Sequence, residues 1–236
     1  MCGRYKLVAP TGRVFDEFSL TGLRLNLQPR YNLAPTQDAP VVRKMPHGMP
    51  SGRQISMIRW GLIPGWSPAL SPGAPLGSGQ INARAETVAE KPTFRDALKH
   101  RRCLVIADGF YEWQTEGHEK LPMLFEMKDG GVFAFAGLWE RSEKGSTPLE
   151  TFTIICTAAN ALVGTVHDRM PVILPKEHWD KWLDVEGASV SDVLPLLTPY
   201  PADTMTVRPV SQRLNKVSAD DASLLTPEPP VQGSLF

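Results

Sequence analysis

Short apolar runs rich in β-branched and aromatic residues constrain this chain more than any other feature. Cys103–Ala107, Met123–Met127, Val132–Leu138, Phe152–Thr157 and Val172–Leu174 follow one another through the second half of the sequence, and Met205–Val210 reads as a last one. Their lengths suit strands, and their side-chain types fit a pleated, half-buried surface. Val41–Lys44 and Ile55–Trp60 read as earlier strands joined by a turn at Pro46-His47-Gly48. Tyr31–Thr36 reads as a loop ending at a proline. Helical patterns are short: Thr11–Phe18, with Thr11 as N-cap and Val14, Phe15 and Phe18 inward; Thr93–Arg102, with Phe94, Ala97 and Leu98 inward; Lys176–Leu183; and Val190–Leu197. Strands without a regular βαβ alternation predict an α+β fold. We expect one domain over 1–222, built on a curved, barrel-like, mostly antiparallel sheet with short peripheral helices.

Composition narrows the function classes. With 42% hydrophobic and 21% charged residues, the chain can bury a core and is not disordered throughout. No apolar run approaches the roughly 18 residues that would span a bilayer. Met1-Cys2-Gly3-Arg4-Tyr5-Lys6 lacks the apolar stretch of a signal peptide. The expected location is the cytoplasm, or the nucleoid if the protein binds DNA, and nothing suggests more than a monomer. Cys2, Cys103 and Cys156 make neither a disulfide framework nor CxxC spacing, and the five histidines are far apart, so no structural metal is expected. Cys103 and Cys156 sit inside apolar runs and read as small core residues.

Charge is balanced overall but unevenly spread. Of the 25 basic and 25 acidic residues, 15 of the former and 6 of the latter lie up to residue 105, leaving 10 against 19 beyond it. The split fits a basic face for an anionic partner, or halves that mix as the chain folds back. The basic end of the second helical pattern, Lys99 to Arg102, is explained equally well by the helix dipole. Residues 64–80 are rich in Pro, Gly and Ser and read as a long, mobile surface loop.

Cys2 is the first candidate for chemistry. Initiator methionine is removed when the next side chain is small, which would leave Cys2 with a free α-amine beside its thiol. Such an aminothiol condenses with an aldehyde to an imine, and the sulfur then closes a five-membered thiazolidine. Reference values of about 7.7–8.0 for the amine and about 8.5 for the thiol leave both partly deprotonated near neutrality. Three further segments carry candidates: Ile81–Thr87, Ala107–Trp113 and Val166–Val172. Glu112 lies between aromatics, where burial would raise its carboxyl toward the range useful for acid–base work. His167 could move protons near pH 7. Asn82 could hold a ligand oxygen without adding charge, and Arg84 could clamp a phosphate. Taken singly, each has a plainer reading: an ion-pair partner for Glu112, a core histidine for His167, a turn former for Asn82.

Taken together, the ordered motifs Cys2-Gly-Arg-Tyr5, Tyr31-Asn-Leu-Ala-Pro35, Trp60-Gly-Leu-Ile-Pro-Gly-Trp66, Asn82-Ala-Arg-Ala-Glu-Thr87, Asp108-Gly-Phe-Tyr-Glu-Trp113 and His167-Asp-Arg-Met-Pro171 strongly resemble the SRAP family, the abasic-site processing proteins. The resemblance runs from Cys2 to about Val217. It implies binding of single-stranded DNA and reaction with abasic sites, whose deoxyribose is a masked aldehyde. By this resemblance Cys2 forms the thiazolidine crosslink, which shields the lesion during replication. Asn82 holds the adduct, Glu112 helps open the sugar and form or reverse the imine, and His167 assists proton transfer. Arg4, Asn32 and Arg84 match positions that bind the nucleic acid, and Trp66 matches an aromatic that packs against it. No metal or cofactor is called for. Departures from the pattern are Ser67 in place of a second aromatic, a long 66–80 segment, and Lys91-Pro92 where a basic position is expected.

The family's name records a second reading, a cysteine peptidase or amidohydrolase with Cys2 as nucleophile, which would include removal of Met1. A third is a non-catalytic nucleic-acid-binding module. Residues 223–236 read as a disordered tail. Its end, Gln232-Gly-Ser-Leu235-Phe236, resembles the short peptide by which bacterial proteins dock on the replication sliding clamp.

Overall fold

A computed structural model describes residues 2–21, 25–44, 52–67, 79–117, 119–143 and 148–227. Its strands are, in chain order, β1 (Arg4–Leu7), β2 (Arg30–Leu33), β3 (Asp38–Lys44), β4 (Arg53–Trp60) and β5 (Asn82–Arg84). Then come β6 (Arg102–Ala107), β7 (Gly109–Glu116), β8 (Glu119–Met127), β9 (Phe133–Ser142) and β10 (Leu149–Ala158), followed by β11 (Arg169–Pro171), β12 (Ile173–Leu174) and β13 (Met205–Pro209). The α-helices are short: α1 (Thr11–Glu17), α2 (Arg95–His100), α3 (Trp179–Leu183) and α4 (Val190–Val193). No helix among the described residues is long and apolar enough to cross a membrane.

The strands form two sheets. One is antiparallel throughout, in the order β13-β8-β7-β1-β2. In the other, β10 pairs with β4, β4 with β3, β3 with β6, β6 with β9, and β9 again with β10. That closure makes a barrel-like ring of strands; among the described strands, β10 pairs in parallel with β4 and β5. The α+β expectation, with a curved, mostly antiparallel sheet and short helices, matches this architecture.

Alternation along β7 explains how the layers meet. Phe110 faces the ring, stacking on Phe125 and meeting Phe135 edge-on, while Tyr5 of β1 packs on Trp60 and Phe135. The next residue, Tyr111, joins a separate cluster with Leu124, Val210, Leu214 and Leu224. The C-terminal segment therefore covers the outer face of the first sheet. Leu224 is fully buried, so the packed chain extends past the expected boundary at 222.

Buried charge fixes β1 in this sheet. Asp108 accepts hydrogen bonds from Lys6 Nζ at 2.9 Å and from the backbone N–H groups of Val8 and Ala9, each at 2.7 Å. Lys6 also meets Glu126 at 3.0 Å, and Glu126 meets Arg208. Next to Asp108, any side chain at position 109 would have to displace its neighbours. A Cβ there would lie 2.7 Å from Lys6 Cε and 2.9 Å from the Leu124 side chain.

Several local expectations need correction. Residues 31–33, expected in a loop, lie in β2, where their backbone groups pair with β1 and Asp220. Pro10, not Thr11, is the N-cap of α1, and the Thr11 hydroxyl instead receives the Leu27 N–H. The basic cluster after α2 is not simply a response to the helix dipole. Arg101 pairs with Asp96 and Glu140, and the buried Arg102 donates to the carbonyls of Leu98, Trp182, Asp184 and Ala188. The turn at 46–48, most of the 64–80 segment and Gln232, Leu235 and Phe236 lie outside the described residues.

Candidate active site

Cys2 lies two residues before the start of β1, which is held between β2 and β7 with Arg4 opposite Tyr111. Its side chain is fully buried. Burial pushes the thiol well above its usual range, and the neighbouring Cys156 and Glu112 add to that rise. Sulfur at this position is therefore a thiol, not a thiolate, in the chain that retains Met1.

Asn82 opens β5, which runs parallel to β10 with Asn82 opposite Ile154 and Arg84 opposite Cys156. Its Nδ2 donates to the carbonyl of Cys2 at 2.9 Å. Its Oδ1 accepts from the Cys156 thiol at 3.1 Å. Cys156, expected as a core residue, is fully buried in the apolar interior, and its thiol also reaches Asn82. Nothing in its apolar run signals this, because it follows from the pairing of β5 with β10. Cys103 is likewise a core residue, packed within the apolar interior, with burial lifting its thiol to about 12.

Glu112 lies on β7 opposite Met123 and is 2% exposed. Burial pushes its carboxyl up to about 7, and the charge of nearby Asp168 adds to the rise. At neutral pH a carboxyl in that range can both give and take a proton.

His167 sits at the entry to β11. Burial pushes its ring below the usual histidine range, so the neutral form dominates at pH 7. Nδ1 accepts the backbone N–H of Arg169 at 3.0 Å, which leaves the ring proton on Nε2. Asp168 Oδ1 is also 2.9 Å from Nδ1, a contact that becomes an ion pair only when the ring is protonated. Arg169 itself, which sequence reasoning did not single out, clasps Glu86 with two bonds of 2.6 and 2.8 Å and donates to the Cys156 carbonyl at 2.8 Å.

The four residues expected to contact nucleic acid fall into two pairs. Arg84 and Trp66 are exposed, Trp66 to 64%. Arg4 and Asn32 face inward. Arg4 donates to Asn32 Oδ1 and to the Leu214 carbonyl, both at 2.9 Å. Asn32 is fully buried and donates to the carbonyls of Leu214, Lys216 and Ala219. Beside Trp66, a surface pocket of about 380 Å³ is lined by Pro92, Asp96, Arg101, Glu140 and Arg141. Among the described residues, no group of three or more His, Cys, Asp or Glu side chains is placed to hold a metal ion.

Comparison with known proteins places this geometry in a family. Residues 1–217 match the family model described as SOS response associated peptidase. Over 232 residues the chain is 39% identical to the abasic site processing protein YoaM of Bacillus subtilis, an alignment covering 97% of this chain and 99% of that one. It is 33% identical over 214 residues to the abasic site processing protein HMCES of Xenopus tropicalis, covering 80% and 63% respectively. A crystal structure of a Bacteroides thetaiotaomicron protein superposes with a TM-score of 0.84 at 26% identity, covering 97% of this chain and all of that one. A Bordetella bronchiseptica protein superposes with a TM-score of 0.77 at 26% identity, covering 89% of this chain and 100% of the other. The chain belongs to the SOS response associated peptidase (SRAP) family.

Proposed function

We propose that this protein captures abasic sites in single-stranded DNA as a thiazolidine crosslink to Cys2, once Met1 has been removed. The observation that carries the reading is the convergence on Cys2 of Asn82, which holds its carbonyl, and of Glu112, lifted to about 7. The relatives' names, abasic site processing proteins, point the same way.

The chemistry follows from these groups. Protonated Glu112 gives its proton to the ring oxygen of the deoxyribose while the hydroxyl at C1′ loses one, which opens the sugar to an aldehyde. The Cys2 α-amine adds to the aldehyde carbon, and loss of one water gives the imine. Sulfur then bonds to the imine carbon as its proton passes to nitrogen, which closes the ring. The net change is condensation with release of one water. The amine attacks first and sulfur second, because the thiazolidine closes only on the imine carbon that the amine has made. Neutral His167 relays protons at the sugar. Met1, if retained, ties the amine into a peptide bond and blocks the first step.

Outside the pocket, Arg84 holds a phosphate and Trp66 stacks on a base, a contact worth about 1–3 kcal/mol in single-strand binders. Arg4 and Asn32 fasten β1 and β2 to the C-terminal segment, and the half-buried Arg4 borders the nucleic acid beside Cys2. The tail ending Leu235-Phe236 tethers the protein to the sliding clamp. Loss of binding by the isolated peptide with Leu235→Ala and Phe236→Ala is the expected result there. The peptidase reading needs a ready thiolate, and a thiol raised this far by burial does not favour it.

The test is a denaturing gel of wild type and Cys2→Ala after incubation with abasic and intact oligonucleotides. A shifted band on abasic DNA alone, absent from Cys2→Ala, is expected. No band with wild type, or a band that survives Cys2→Ala, overturns the reading.

A further inference from the structure

Three residues form a hydrogen-bonded chain that ends on the reactive one. The Cys156 thiol donates to Asn82 Oδ1 at 3.1 Å, and Asn82 Nδ2 donates to the Cys2 carbonyl at 2.9 Å. A carboxamide has nearly the same shape in its two flipped orientations, so its partners decide which one holds. The Cys2 carbonyl can only accept, so the NH₂ group must face it. Oδ1 then faces the other way and needs a donor. The thiol of Cys156 supplies it.

The donor is itself immobile. Cys156 is fully buried on β10, and its backbone carbonyl accepts from Ala85 N–H at 2.9 Å and from the Arg169 guanidinium at 2.8 Å. Arg169, on β11, is in turn gripped by Glu86, two residues beyond β5. We propose that Cys156 is a positioning residue, whose S–H sets the orientation of the Asn82 amide and through it holds the carbonyl, and hence the amine and thiol, of Cys2 for attack on the sugar aldehyde. The inference rests on the crosslinking reading above. Burial lifts the Cys156 thiol to about 12, so it keeps its proton throughout the range in which an α-amine is nucleophilic. A residue of purely packing value would need no donor. Valine would fill the same space without one, and serine would restore it.

The experiment compares wild type, Cys156→Val, Cys156→Ala and Cys156→Ser, each shown by mass spectrometry to begin at Cys2. Three quantities are read: the single-turnover crosslinking rate on saturating abasic single-stranded oligonucleotide, the affinity for an oligonucleotide carrying tetrahydrofuran (an abasic analogue with no aldehyde), and the side-chain amide signals of Asn82 by ¹⁵N NMR. We expect Cys156→Val and Cys156→Ala to slow crosslinking about tenfold or more, the size of effect that misplacing a reacting group produces. Affinity for the analogue should stay within about twofold, since binding does not use the oriented amine. The Asn82 amide signals should shift or broaden in both variants, and Cys156→Ser should recover both the rate and the signals.

Rates equal to wild type in the folded Val or Ala variant, or unchanged Asn82 signals beside a slowed rate, overturn the inference. A serine variant that folds yet stays as slow as valine does the same. These outcomes leave the crosslinking reading intact if wild type still forms its Cys2-dependent adduct. Absence of that adduct in wild type overturns the crosslinking reading and this inference with it.

Discussion

Asp108 and Glu112 lie on either side of Gly109-Phe110-Tyr111, both nearly buried at 7% and 2% exposure, yet they serve opposite ends. Asp108 is surrounded by donors: Lys6 and two backbone N–H groups. Its charge is matched where it stands, and it ties β1 to the edge of β7. Glu112 lies beside the thiol of Cys2 and the carboxylate of Asp168, and burial lifts it to about 7. One carboxylate is fixed as a strut, and the other is poised between its two protonation states. The lesson is that partners assign the role, and residue type alone does not.

The contrast can be broken most sharply through kinetics. Glu112→Gln keeps the shape but cannot exchange a proton, so single-turnover crosslinking should fall by about 10²- to 10⁴-fold, the range typical of a lost acid–base group. Binding to a tetrahydrofuran oligonucleotide should hardly change. A rate within threefold of wild type would place Glu112 among the merely structural residues, beside Asp108.

Asp108→Ala should act on stability instead. It strips Lys6 of one partner and leaves two backbone donors unmatched in a buried place, a change worth about 3–5 kcal/mol in urea unfolding. A loss under 1 kcal/mol would mean that the Lys6–Asp108 pair is not what holds β1.

The third effect is smaller and depends on pH. A carboxyl raised from 4.5 to about 7 on folding makes the native state resist ionisation. Its contribution is therefore fully present below 4.5 and is lost as pH rises through about 7. Glu112→Gln removes that loss, so at pH 8.5 the variant should be the more stable by about 3 kcal/mol, with the difference vanishing below about pH 4.5. A pH-independent difference would show that burial is not the cause of the shift.

Much of this was legible in the sequence. Runs such as Phe152–Thr157 and Val132–Leu138 marked the interiors of β10 and β9, because side chains buried on both faces leave an unbroken apolar signature. Cys2, Asn82, Glu112 and His167 could be singled out by the chemistry of their side chains and by their motifs. Which strands would close the barrel-like sheet was not legible, since the parallel pairings of β10 with β4 and β5 join segments far apart in sequence. Cys156 read as core, which it is, but its thiol's acceptor was hidden for the same reason, because β5 brings Asn82 to it. The contacts of Asn32 were not legible either. Nothing in a polar motif residue shows that its amide reaches carbonyls of the C-terminal segment, more than 180 residues away.

That last arrangement sets an order of events during synthesis. Arg4 and Asn32 leave the ribosome early, but Leu214, Lys216, Ala219 and Asp220, to which they are fastened, follow 182 to 210 residues later. This fastening of β1 and β2 cannot form until those residues have been made. A polypeptide cut off before Leu214 therefore keeps the Asp108 anchor of β1 but lacks the second one.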